Sequence, residues 1–126
     1  MSKESKVFLQ MLHLLVKDTV KFADNMLSGH EISSSDYIGG ELSDADIFTL
    51  RSILLSKEQR SSLLKLLTAV CNLSMTGALS VIDGVMMSDK LELPDLSLID
   101  RNTGNDIIDE IMLNEEFENL KESDFN

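Results

Sequence analysis

The sequence predicts an all-α or nearly all-α fold, a single-domain bundle of four to five helices packed around a long central helix. Three observations carry that expectation. Apolar residues recur at spacings of three and four over most of the chain, which is the helical period. Two serines stand three positions ahead of an acidic or amide side chain, at Ser43/Asp46 and Ser56/Gln59, the signature of a capping box. The chain holds one Pro and six Gly in 126 residues, too few for a loop-rich or low-complexity protein.

The first helix is expected from about Ser5 to Ser28, where Phe8, Met11, Leu12, Leu15, Val16, Phe22, Ala23 and Met26 keep the period and Gly29 supplies a stop. Its polar stripe is Lys6, Gln10, His13, Lys17, Lys21 and Asp24. Gly29 to Leu42, with Ser33-Ser34-Ser35 and Gly39-Gly40, follows neither period and reads as a loop. A short second helix spans Asp44 to Leu54 behind the Ser43 cap. The third starts behind Ser56 and carries Leu63, Leu66, Leu67, Val70, Leu73, Ala78, Val81, Ile82 and Val85 as its buried face. It is the central helix, with Gly77 as a point where it kinks or divides. Asp83-Gly84 ends it or turns after it. Alternation of Leu91, Leu93, Leu96 and Leu98 around Pro94 predicts a short β-hairpin or extended strap near residues 91–99. A turn follows over Asp100 to Asn105, and Ile107, Ile108, Ile111, Met112, Phe117 and Leu120 predict a last helix that frays into an acidic tail from about 118. The whole of 1–126 reads as one domain.

Charge and cysteine content narrow the class. Eleven Lys and Arg stand against 22 Asp and Glu, a net charge of -11 concentrated toward the C-terminal third. That balance repels nucleic-acid phosphate and anionic membrane and favours a basic protein partner. Cys71 is the single cysteine, so no intramolecular disulfide forms, and a reduced thiol in an apolar stretch predicts a cytoplasmic protein. No signal peptide is expected, because Lys17, Asp18 and Lys21 break the first apolar run. Nor is a membrane span, since Lys65, Asn72 and Asp83 interrupt the most apolar stretch.

No motif points to catalysis. Asp100-Arg101-Asn102-Thr103-Gly104 starts like a calcium loop, but Gly104, Asn105 and Ile111 stand where a ligand, a glycine and a glutamate are needed. His13 and His30 lack partners at zinc spacing, and Cys71 sits among apolar residues where a thiol stays inert. Phosphate loops, nucleophile elbows and paired zinc histidines are missing. A helix-turn-helix reading of the second and third helices, with Lys57, Arg60 and Lys65, conflicts with the charge balance. The sequence therefore predicts no enzyme, no cofactor, no metal and no nucleic-acid partner. It predicts a non-catalytic protein-binding module of the small acidic inhibitor or immunity type, docking on a basic partner through Asp106, Asp109, Glu110, Glu115, Glu116 and Glu118. The alternative is a self-associating helical module, a homodimer that buries the wide apolar surface of the third helix between copies.

Overall fold

Helix accounts for 67% of the described residues, in four elements: α1 (Lys3–Leu27), α2 (Asp44–Arg51), α3 (Lys57–Ile82) and α4 (Leu113–Asn119). The computed structural model describes residues 1–29, 42–85, 92, 95–108 and 111–120. The all-α class expected from periodicity is the class observed, and no strand occurs among the described residues.

Each helix boundary has a local cause. At the start of α1 the Ser2 hydroxyl accepts the Ser5 amide at 3.1 Å. Its end is closed by Gly29, whose φ of 78° is a left-handed conformation that costs a side-chain-bearing residue about 1 kcal/mol or more. Both expected capping boxes form. Ser43 accepts the Asp46 amide at 3.1 Å while the Asp46 carboxylate accepts the Ser43 amide at 2.9 Å. Ser56 and Gln59 exchange the same pair at 3.1 and 2.9 Å. α2 ends at Arg51, earlier than the expected Leu54, because Ser52 folds its amide back onto the last carbonyls. α3 runs unbroken through Gly77 and ends in a Schellman motif: the Val85 amide reaches the Ser80 carbonyl at 3.0 Å and the Gly84 amide the Val81 carbonyl at 3.1 Å. The φ of 73° at Gly84 makes that closure possible.

The C-terminal region departs from expectation. The last helix was expected to include Ile107 and Ile108, but these residues lie in a turn and the helix begins at Leu113. The Asp106 carboxylate accepts the Ile108 amide at 3.0 Å, and the Ile107 amide is held by the Leu98 carbonyl at 2.8 Å. Those bonds divert the backbone from the helical ladder. A single antiparallel bridge joins Ile99 to Asp106, and residues 95–98 form no strand. Leu91, Leu93 and Pro94 of the expected hairpin lie outside the described residues, as do residues 30–41 of the expected loop and residues 121–126 of the expected tail.

The chain divides into two compact units, Val16–Val70 and Met1–Leu15 with Cys71–Asn126. In the first, Val16 and Met26 are buried and Arg60 pairs with Asp24 at 2.5 Å. Arg51 donates to the Met26 carbonyl at 3.0 Å. In the second, Leu9, Leu79, Leu113 and Phe117 form the core, together with Ser5, whose hydroxyl donates to the Ile107 carbonyl. Because that donation uses the one Ser5 hydroxyl proton, the 2.7 Å contact between the Ser2 and Ser5 oxygens is a donation from Ser2.

The buried side of α3 differs from the periodic set read in the sequence. Leu79 is the buried residue of α3, whereas Leu66, Val70 and Leu73 are 58%, 49% and 72% exposed. At 100° per residue Leu79 lies opposite the stripe formed by Leu63, Leu66, Val70, Leu73 and Gly77.

Replacing Ser43 by Ala should destabilise the protein by about 1 kcal/mol in urea unfolding, the usual cost of an N-cap. The amide and hydroxyl of Ser43 hold the Asp46 carboxyl below its ordinary 3.8. A lowered folded pKa stabilises above the unfolded value and loses that contribution as pH falls through the folded one. Stability should therefore drop through this cap only below about pH 4, and acid titration of Asp46→Ala should lack that component.

Candidate functional site

The six acidic residues singled out by charge have different fates. Asp109 and Glu110 lie outside the described residues. Asp106 is exposed, but its carboxylate is engaged in the turn, accepting the Ile108 amide and, at 3.4 Å, the Ser97 hydroxyl. Glu115 and Glu116 occupy the first turn of α4, where negative charge meets the positive end of the helix dipole. Glu115 and Glu118 are exposed and Glu116 is half-buried. α4 thus presents two free-standing acidic side chains on a helix whose other face, Leu113 and Phe117, is in the core.

Three polar contacts hold α4 and the turn before it in that unit. Met112, the N-cap of α4, makes no side-chain cap. The cap comes instead from Asp83, whose two carboxylate oxygens accept the amides of Leu113 at 3.0 Å and Asn114 at 2.9 Å. His13 stacks on the Phe117 ring with centroids 3.9 Å apart and planes 14° from parallel. Its Nε2 lies 2.8 Å from the Phe117 carbonyl, which only accepts, so the proton sits on Nε2. Ser5 on the Ile107 carbonyl is the third. His13 is therefore a packed structural residue. No sequence signal marked Asp83 as a cap, because the helix it serves starts thirty residues away.

The turn at Asp100 uses its oxygens internally. Asp100 accepts the Asn102 amide at 2.8 Å, Thr103 accepts the Asn105 amide at 3.2 Å, and the Gly104 amide returns to the Asp100 carbonyl at 2.7 Å. Among the described residues no group of three His, Cys, Asp or Glu side chains is arranged to hold a metal. A groove of about 390 Å³ lined by Lys3, Glu4, Val7, Phe8, Asp100 and Ile107 carries no convergent set of polar groups beyond its charged rim.

The most pronounced surface feature is apolar. Leu66, Val70 and Leu73 lie on one side of α3 at helical spacing and face solvent, whereas the Asn72 side-chain oxygen, on the opposite side, is buried and has no hydrogen-bond partner among the described residues. α3 thus leaves three large apolar side chains in water among its exposed polar ones while Leu79 is buried on the other side. Cys71 is partly buried. Among the described residues α3 is also the one helix long and apolar enough to cross a membrane by length and composition. Lys65 and Asp83, expected to interrupt such a span, flank an uncharged stretch from Leu66 to Ile82.

Fold and surface together define an all-α protein with an outward apolar helix face and an anchored acidic helix. Comparison with family models, with curated proteins and with solved structures finds no match to this chain.

Replacing Asp83 by Ala should cost about 2 kcal/mol, since two amides lose a charged acceptor. Hydrogen exchange should then show faster exchange in α4 at Leu113 and Asn114 while the middle of α3 stays protected. Asp83→Asn, which keeps one acceptor oxygen, should lose less.

Proposed function

We propose that this chain is a non-catalytic helical protein-binding module that engages its partner through the outward apolar stripe of α3. The observation that carries the reading is the exposure of Leu66, Val70 and Leu73, at 58%, 49% and 72%, along one side of a 26-residue helix. Exposed apolar side chains scattered singly mean little, but a contiguous stripe of them on a regular element is the usual mark of a contact surface. Removing two such residues from water on binding is worth about 1 to 3 kcal/mol. A cytoplasmic setting accords with this reading, since the lone thiol of Cys71 has no disulfide partner in the chain.

A second reading, the acidic inhibitor or immunity type, is favoured by Glu115 and Glu118. Both are exposed on α4, a helix fixed by Asp83, Leu113 and Phe117, so their charges have a defined position from which to meet a basic surface. Such a contact is steered by charge and weakens as salt rises.

One binding experiment separates the two. With a partner recovered from lysate and purified, Leu66→Glu with Leu73→Glu should weaken binding at least tenfold, about 1.4 kcal/mol, while Glu115→Gln with Glu118→Gln should leave it within about twofold. The converse result, with strong salt dependence, would transfer the contact to α4 and overturn the apolar reading.

A further inference from the structure

We infer that Ser28 is a phosphorylation site and that Arg60 receives its phosphoryl group, forming a clamp between the end of α1 and the start of α3. The inference is independent of which surface binds a partner. All the residues that support it by contact lie in the unit Val16–Val70.

Unpaired carbonyls give the C-terminal end of a helix partial negative charge. α1 has no basic residue in its last turn to offset it. Two arginines from other elements serve instead. Arg51, the last residue of α2, donates from Nε to the Met26 carbonyl at 3.0 Å. Arg60, in the first turn of α3, donates from Nε to Asp24 Oδ1 at 2.7 Å and brings a terminal nitrogen onto Ser28 Oγ. Ser28 gives its one hydroxyl proton to the Asp24 carbonyl at 2.7 Å, so toward Arg60 its oxygen accepts. The guanidinium therefore already touches the atom on which a phosphoryl group is placed.

That atom is open to an enzyme. Ser28 is exposed and follows Leu27, the last residue of α1. The next acid in the chain is Glu31, three positions on, a context that suits a protein kinase with a basic substrate groove. In the reaction Ser28 Oγ attacks the γ-phosphorus of a nucleoside triphosphate held by that kinase. The bond to the β-phosphate oxygen breaks, nucleoside diphosphate leaves, and the hydroxyl proton passes to the kinase's base. The Asp24 carbonyl loses the hydroxyl donor but keeps the Ser28 amide at 3.0 Å.

Charge decides which anion then holds Arg60. The Asp24 carboxylate carries a single charge, whereas a phosphoserine carries about -1.5 to -2 at neutral pH and offers three acceptor oxygens. The phosphoryl group is repelled by Asp24 and by the helix end. It nevertheless begins in contact with the guanidinium, and Asp24, 30% exposed, has water to turn to. A free phosphate ion lacks this advantage, because it competes from solution with a carboxylate that the chain holds in place, whereas the ester is itself held by the chain. The arrangement therefore suits a covalent phosphoryl group on Ser28 and not a free anion.

The test uses the full chain. Mass spectrometry of the protein isolated from the cells that make it should find a phosphatase-sensitive phosphoryl group on Ser28; its absence overturns the assignment of the modification. With phosphoserine inserted at position 28 during synthesis, the phosphorus NMR resonance should titrate about half a pH unit lower in the folded chain than in urea, since an adjacent guanidinium favours the dianion. Arg60→Gln should remove that difference and Arg60→Lys should keep part of it, with circular dichroism unchanged in both. A midpoint raised on folding, the sign that Asp24 and the helix end dominate, overturns the clamp. Arg60→Gln should also lower the urea midpoint further in the phosphorylated chain than in the unmodified one, and an equal loss in both leaves Arg60 a structural partner of Asp24 alone and overturns the clamp. Inorganic phosphate at millimolar concentration should show no resonance shift with the unmodified chain; a shift that Arg60→Gln removes reassigns the site to a free anion and overturns the inference.

Discussion

The C-terminal part of this protein depends on one carboxylate. Asp83 follows the last residue of α3, where negative charge is unfavourable to that helix, yet both its oxygens are taken by the first two amides of α4. The unfavourable placement at one helix end is offset by a favourable one at the other. Through this contact a seven-residue helix, too short to be stable alone, acquires an N-cap and a fixed starting point. Leu113 and Phe117 then enter the core with Leu9 and Leu79, and His13 closes over Phe117 by stacking and by its Nε2 proton.

Leu79, on one side of α3, is buried in that core, while Leu66, Val70 and Leu73 on its other side are exposed. The choice of side has a cost. Asn72 places a buried oxygen on the inner side with no donor among the described residues, typically worth about 1 to 3 kcal/mol against stability, while Leu66, Val70 and Leu73 stay in water. A sequence selected for the stability of the isolated chain alone would reverse these two choices. Their persistence makes physical sense if the outer face is covered by something else when the protein works.

The acidic composition acts on a different scale. A net charge of -11 limits non-specific association and biases encounter toward basic surfaces, but it does not say where contact is made. Of the described acids expected to make that contact, Asp106 closes a turn and Glu116 is half-buried, while Glu115 and Glu118 are exposed. Charge counted along a sequence treats carboxylates alike, whereas each one's backbone surroundings decide whether it is a cap or a surface group.

The elements that depend on neighbours in the chain were legible from sequence: the helical class, the extents of α1 and α3, and the starts of α2 and α3, where Ser43/Asp46 and Ser56/Gln59 form their boxes within four residues. The buried side of α1 was not, since Leu9 is fully buried while Met11 and Leu15 of the expected face are 59% and 54% exposed. Periodicity placed Leu66, Val70 and Leu73 on a wide apolar arc of α3 expected to be buried, because spacing along a helix is a local property. Which side of that helix is buried is not local. It was assigned wrongly because a helix apolar over so wide an arc offers several burial solutions, and Leu79 wins only through the placement of the other helices. The late start of α4 is likewise set by Asp106 holding the Ile108 amide and by Asp83 reaching Leu113 from α3. Local pattern along the chain set the extents of α1 and α3 and the start of α2; contacts between residues far apart in the chain set which faces these helices bury and where α4 begins.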